Sequence, residues 1–232
     1  ESTAGPSPPA EPVAATDGQQ FHPRLLQIAQ EYLQYGLINP EIDWAPAMCA
    51  PGAGPPPALV SRSDDPSTHG QKLYFLFAKN HAYWHAARKE SPVGQAIVKE
   101  SWTAIPAQQP PQVQFADHAS GQQVRPYAEQ EGRFFHAGQQ NALFVMYKLP
   151  PDTPGTDQGW VYGTLTADGQ QVTGAGKLAN CMACHTQSGN PDRLFGPKNP
   201  PPFAPAEESS SPGEDSAPPG GEPVPPSDFP PP

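Results

Sequence analysis

The residues Cys181-Met182-Ala183-Cys184-His185 place two thiols three positions apart, with an imidazole directly after the second thiol. On a helical turn this spacing brings both sulfur atoms to one side. The pattern C-x-x-C-H is the attachment sequence of a c-type haem, in which two thioether bonds hold the porphyrin and the histidine binds the iron. The sequence therefore predicts one covalent haem c on Cys181 and Cys184, with His185 as the proximal iron ligand.

Two other sites use closely spaced cysteines, and both fit this chain less well. A thioredoxin-like redox pair opens a helix within a βαβ unit, and no such unit surrounds residues 181–185. A structural zinc site needs four ligands, usually from two cysteine pairs, and only Cys49 remains. We interpret Cys49 as an inert thiol, or alternatively as one half of an intermolecular disulfide in an oxidising compartment.

The overall charge excludes some partners. Thirteen basic and twenty-three acidic residues give a net charge of −10, which argues against nucleic acid as a partner. No apolar run approaches the ~18 residues of a membrane span. The chain begins at Glu1 and not at Met, as expected where a leader has been removed or where an expressed fragment starts. Because bacteria attach c-type haem outside the cytoplasm, we expect a periplasmic or cell-surface protein.

Proline marks the expected domain boundaries. The 35 prolines are about three times the average usage of ~5% and are concentrated at the two ends. Residues 1–20 and 199–232 cannot bury enough apolar surface to offset ordering entropy, so we predict disordered termini. Residues 21–198 are then predicted to form a single c-type haem domain.

Within this domain, apolar periodicity predicts an α+β fold. A helix is expected over residues 21–36, with Gly36 as its C-cap, and a short one over 81–89. Residues 104–141 are rich in Gln and turn residues and are predicted as loops, with a short helix near 127–132. Strands are predicted over residues 72–78, 94–102, 141–149 and 159–164. Because these strands are short and hairpin-linked, the sheet should be mainly antiparallel.

The strand over residues 94–102 carries an unusual lysine. Strand alternation puts Gln95, Ile97 and Lys99 on one face, with Val98 and Glu100 on the other. A free ammonium beside an interior isoleucine is costly to bury. The alternative is a solvated lysine on an edge strand.

The late position of the motif in the chain limits which residues could supply a sixth iron ligand. Because neither Met nor His follows His185, any such ligand must come from upstream. Otherwise the iron is five-coordinate and open to small molecules. His81 and His85 have the i, i+4 spacing of a metal-binding pair but lack a third ligand. The upstream candidates are Met48, Met146, His22, His69, His81, His85, His118 and His136.

Residues 72–102 and 159–197 together resemble the P-460 cytochrome family and its relatives, the β-sheet cytochromes c′. The resemblance rests on a strand followed by a Tyr/Trp-containing stretch, then Pro92-Val93-Gly94-Gln95-Ala96-Ile97-Val98-Lys99-Glu100, then Trp160 and Tyr162, then Cys181-x-x-Cys184-His185. It implies an antiparallel β fold, usually homodimeric, that holds a five-coordinate c-type haem.

The resemblance leaves two functions open. In the cytochromes c′ of this type the haem binds NO or CO, and a redox partner protein is also conceivable for a cytochrome. In P-460 members a lysine is cross-linked to the haem and the enzyme oxidises hydroxylamine. By position Lys99 is the candidate cross-linking residue.

The same resemblance implies distal residues that the sequence does not place. The catalytic acid could be Glu129, Glu131 or Asp117. An aromatic distal wall, or simply core packing, could come from Phe134, Phe135 and Phe144.

Overall fold

The structure is a computed structural model that describes residues 18–38, 55–61, 72–81, 90–109, 112, 115–188 and 192–195. Residues 1–17 and 199–232 of the termini predicted to be disordered, the segment holding Cys49, and all of the predicted helix over 81–89 except His81 lie outside the described residues. Residues 18–20, which the prediction placed in the disordered N-terminal segment, are described and lead into a 3-10 turn.

Two α-helices and ten strands form the described part of the chain. Helix α1 (His22–Glu31) follows a 3-10 turn, Gln19–Phe21, and continues into another, Tyr32–Gln34. Helix α2 (Ala179–His185) continues into the 3-10 turn Thr186–Ser188. The strands are β1 (Gly36–Leu37), β2 (Leu59–Val60), β3 (Lys72–Ala78), β4 (Ala96–Ala107), β5 (Ala116–Asp117), β6 (Gln123–Val124), β7 (Tyr127–Gln130), β8 (Arg133–Lys148), β9 (Trp160–Thr166) and β10 (Val172–Gly176).

Eight of these strands form one antiparallel sheet in the order β1-β3-β4-β8-β9-β10, with β2 beside β3 and β7 beside β8. Strands β5 and β6 pair separately. The prediction of a mainly antiparallel sheet with a few helices is confirmed.

Helix α1 covers one face of this sheet, which we call the α1 face. Leu25 and Ile28 of the helix are completely buried there, among residues such as Phe77, Val98 and Val145. Gly163 of β9 lies under Leu25, and an added Cβ would collide with the leucine side chain. The absent side chain at Gly163 therefore lets the helix approach the sheet closely.

The predicted C-cap at Gly36 is wrong. The α-helix ends at Glu31, and Gly36 instead begins β1, where it pairs with Ala78 of β3. The ring of His81 lies where a side chain at position 36 would be, with its Cδ2 atom 2.8 Å from the ideal Cβ. A close approach rather than a helix end explains this glycine.

The opposite face of the sheet, the α2 face, carries a second apolar cluster. Ala78, Ile97, Met146 and Tyr162 are direct neighbours across β3, β4, β8 and β9. All four are buried together with Trp160. The predicted alternation along 94–102 is therefore confirmed, with Ile97 and Lys99 on this face and Val98 on the other.

The interpretation of residues 104–141 as loops with a helix near 127–132 is wrong. Strand β4 continues to Ala107, and β7 and β8 form a hairpin whose turn residues Glu131 and Gly132 have φ of 52° and 73°. Two successive positive φ values are typical of the tight turn that joins two antiparallel strands. Hydrogen bonding to β4 and β7 stabilises this part of β8, although much of it is exposed.

We predict that Leu25→Ala destabilises the protein by about 3 kcal/mol, because a fully buried leucine leaves a cavity between α1 and β9. Chemical denaturation of the purified protein measures this loss. Leu26→Ala is the matched control, since Leu26 is only partly buried, and its cost should be clearly smaller. Equal costs at both positions would contradict this packing of the helix.

Candidate haem site

Helix α2 presents its apolar side to the α2 face of the sheet. Leu178, Cys181 and Met182 pack against the cluster containing Ile97, Met146 and Tyr162. Their spacing of three and four residues is that of one helix face. The helix begins three residues after Gly176 ends β10 with a φ of 93°, a conformation that glycine adopts without strain.

The two thiols of the motif differ in their surroundings. Cys181 is partly buried against the sheet, and Cys184 is exposed. Neither forms a disulfide in the described part of the chain. Burial raises the pKa of the Cys181 thiol, and the neighbouring Cys184 adds to this effect.

The imidazole of His185 is held in one tautomer. Its Nδ1 lies 2.7 Å from the main-chain oxygen of Arg193, so Nδ1–H donates and Nε2 keeps the lone pair that a metal can accept. The ring lies between Tyr162 and Phe195, at centroid distances of 5.5 and 5.3 Å. Burial lowers the pKa of the imidazole, and nearby Lys99 lowers it further, which outweighs the opposing hydrogen bond. A neutral imidazole with an available Nε2 is the form that ligates iron.

Lys99 lies on the same face and within electrostatic reach of the motif. Its Nζ is 4.2 Å from the ring centroid of Tyr74 and 5.9 Å from that of Phe144. Burial lowers the pKa of Lys99 to about 8, and the positive charge of Lys72 contributes, while Cys184 acts in the opposite direction. At pH 7 roughly a tenth of such an amine is neutral. Lys99 thus lies close enough to Cys184 and His185 to interact with both electrostatically.

The residue after Lys99 has an entirely different environment. The Glu100 carboxylate is buried on the α1 face, where it accepts hydrogen bonds from the Tyr32 hydroxyl (3.1 Å), the Trp102 indole N–H (2.6 Å) and His118 Nε2 (3.1 Å). This network includes one of the candidate iron ligands. Because the sheet separates His118 from α2, that histidine is not brought to the motif.

Most other suggested ligands lie away from the motif or outside the described residues. His22 belongs to α1, His136 is exposed on β8, and His81 Nε2 lies 3.2 Å from the main-chain oxygen of Leu37. Met146 is buried on the α2 face. Three candidates lie outside the described residues: Met48, His69 and His85.

Only one of the three suggested distal aromatic residues lies near Lys99. Phe144 does so, whereas Phe135 packs against the α1-face core. Phe135 lies nine residues before Phe144 on the same strand, a separation of about 30 Å along an extended chain. Phe134 adjoins Phe135 in the β7–β8 hairpin.

The suggested acids are all exposed. Glu131 is in the hairpin turn, 3.7 Å from Arg133, while Glu129 lies in β7 and Asp117 in β5. None of these positions brings a carboxylate to the motif.

Sequence analysis did not identify the hydrogen bonds and ion pairs that fix the residues in contact with His185. The Tyr162 hydroxyl donates to Asp157 (3.0 Å), and Asp157 also pairs with the Arg193 guanidinium (3.3 Å). Asp192, which directly precedes Arg193 in the sequence, is also buried and pairs with Lys148. The alternation of Trp160 and Tyr162 along β9 indicated a buried face, but no local pattern indicated these ion pairs.

The donor set fits a c-type haem. Two thiols on one side of a short helix would provide the covalent attachment points, and an imidazole with its Nε2 lone pair available would provide an iron ligand. In the described part of the chain no cluster of three or more His, Cys, Asp or Glu residues could hold a metal ion by itself.

The fold and site define a β-sheet cytochrome, and comparison with known families agrees. The family model Cytochrome P460 matches residues 58–196, more than half of the chain. The chain therefore belongs to the cytochrome P460 family, which indicates a haem cofactor. No curated protein sequence matches it. None of the described helices has the length and apolar character needed to cross a membrane.

We predict that iodoacetamide alkylates Cys184 several-fold faster than Cys181 in the haem-free chain, because Cys184 is exposed and burial raises the pKa of Cys181. Peptide mass spectrometry over a time course measures both rates. Denatured chain is the control, in which the two rates should converge. Equal rates without denaturant would contradict the packing of α2 on the sheet.

Proposed function

We propose that this chain is an extracytoplasmic monohaem c-type cytochrome that binds a small nitrogen-oxide ligand such as NO or transfers electrons to a redox partner protein. Cys181 and Cys184 hold the haem through thioether bonds, and His185 Nε2 binds the iron. The observation that carries this proposal is the 2.7 Å hydrogen bond from His185 Nδ1 to the Arg193 carbonyl, since it presents the correct nitrogen.

The iron in this proposal is five-coordinate. A sixth ligand would have to lie on the side of the haem opposite His185. Met146 is the buried methionine on this face, but it is the direct cross-strand neighbour of Tyr162, whose ring contacts His185. Its position beside the proximal imidazole argues against Met146 as the distal ligand.

The residues around His185 then determine the properties of the bound haem. Haem supplies a redox-active iron that can bind small ligands. Tyr162 and Phe195 restrict rotation of the imidazole, and the Arg193 carbonyl retains the proton on Nδ1. The apolar residues Leu76, Ile97 and Met182 in the α2-face cluster exclude water from this side.

A second function is hydroxylamine oxidation with Lys99 joined to the haem edge, as the resemblance to P-460 members implies. Two observations favour it: Lys99 faces the motif, and burial lowers its pKa to about 8, so a neutral, nucleophilic amine is available near neutral pH. Against it, the exposed positions of Glu129, Glu131 and Asp117 provide no catalytic acid at the site. A homodimer would agree with the resemblance in either case.

The first test is the chemical state of Lys99. We predict that haem remains with the polypeptide after acidified-acetone extraction and that peptide mapping recovers Lys99 unmodified, without hydroxylamine turnover. Lys99→Arg should then leave the visible spectrum unchanged, as should the control Lys72→Arg. A haem–Lys99 peptide with turnover that Lys99→Arg abolishes would establish the second function instead, and extraction of the haem would refute both.

The second test is whether the iron has an open position. We predict that CO shifts the spectrum of the ferrous protein and that Met146→Leu has the same spectra before and after CO. A leucine of similar volume keeps the packing while removing the sulfur. Absence of a CO response in the native protein, restored by Met146→Leu, would identify Met146 as the sixth ligand and refute the open site.

A further inference from the structure

The segment of residues 192–195, which we call the strap, returns to the motif after α2. Its Arg193 carbonyl accepts the His185 Nδ1–H. Because this acceptor is a main-chain atom, its chemistry is the same for any residue at position 193. Its distance and direction therefore depend on how the neighbouring side chains fix the strap.

The Asp192 carboxylate holds one end of the strap. Its side chain is 2% exposed, and Oδ1 accepts from Lys148 Nζ at 2.7 Å and from the Trp160 indole N–H at 3.2 Å. Oδ2 accepts from the Ser91 main-chain N–H at 2.8 Å. These partners belong to β8, β9 and the chain preceding β4, so three separate parts of the fold converge on one carboxylate.

The next two residues hold the strap from the other side. The Arg193 guanidinium approaches both oxygens of Asp157, with Nη2 at 3.4 Å and Nε at 3.3 Å. Asp157 is itself oriented by the Tyr162 hydroxyl. Leu194 is buried in the α2-face cluster. Three consecutive side chains thus fix the main chain on either side of the acceptor carbonyl.

Stability alone does not account for this arrangement. Burying Lys148 and Asp192 requires desolvation of both charges, and a well-packed apolar pair would often be equally stable. Charged hydrogen bonds do supply direction, since each oxygen of Asp192 accepts from at least one donor fixed in another part of the fold. The arrangement suits a segment that must be held in one position.

We propose that Asp192 and Arg193 are positioning residues that tune the iron by fixing the hydrogen bond to His185, an inference that rests on the proposed haem ligation. An acceptor held firmly at Nδ1–H makes the imidazole a more basic ligand, and outer hydrogen bonds of this kind tune the metal. A more basic axial ligand stabilises ferric over ferrous iron. Loosening the strap therefore weakens the iron–histidine bond and raises the reduction potential.

The test compares haem-loaded native protein with Asp192→Asn and Arg193→Met. We expect both variants to shift the reduction potential upward, measured by spectroelectrochemistry. Resonance Raman of the ferrous form should show the iron–histidine stretching band at lower frequency in both. The double variant should shift further than either single one, because the strap is held from two sides.

Glu90→Gln is the matched control. Glu90 contacts the same Lys148 ammonium at 3.3 Å, but its side chain is 71% exposed and it is not one of the strap residues. Its potential and stretching band should equal those of the native protein. A shift in this control as large as in Asp192→Asn would refute a specific role for the strap.

The outcomes separate this inference from the proposed function. Haem-loaded Asp192→Asn and Arg193→Met with native potential and native stretching band would overturn the inference and leave the haem assignment intact. If Asp192→Asn fails to fold, Arg193→Met decides, since that side chain is 20% exposed. A native chain that never acquires covalent haem overturns both.

Discussion

The alternation of side chains along β4 is the constraint on which the remaining structure depends. Val98 and Glu100 project to the α1 face, and Ile97 and Lys99 project to the α2 face. A shift of β4 by one residue would exchange the two sets and bury the wrong charges. The hydrogen bonds from Tyr32, Trp102 and His118 to Glu100 oppose such a shift, because Glu100 is the one carboxylate in β4. The α1 face therefore fixes the strand whose other side carries Lys99.

Two lysines on the α2 face, the buried Lys148 and the half-buried Lys99, have different surroundings. The Lys148 ammonium meets the buried Asp192 carboxylate at 2.7 Å, whereas the Lys99 ammonium lies over the ring of Tyr74. Lys148 therefore has a buried carboxylate as its partner, whereas burial together with the charge of Lys72 lowers the pKa of Lys99 to about 8.

The parts of the structure that were predictable from the sequence are those with a strong local pattern. Strand β3 (Lys72–Ala78) has the predicted bounds, because every residue after Lys72 is apolar or aromatic. The faces of residues 94–102 and 141–149 follow from strict alternation. Residues 104–141 were misinterpreted because the β4 extension and the β7–β8 hairpin are largely exposed, so neither face carries an apolar signature. The strap was not predictable either: Asp192 and Arg193 find partners 44 and 36 residues away in sequence, and only the folded sheet brings these together.

The order of elements along the chain also has a consequence for biogenesis. All ten described strands precede the thiols, which follow β10 directly. Chains are made from the amino end, and domains tend to begin folding in that order. All strands of the described sheet are therefore synthesised before Cys181 and Cys184, the two thiols on which the proposed haem attachment depends.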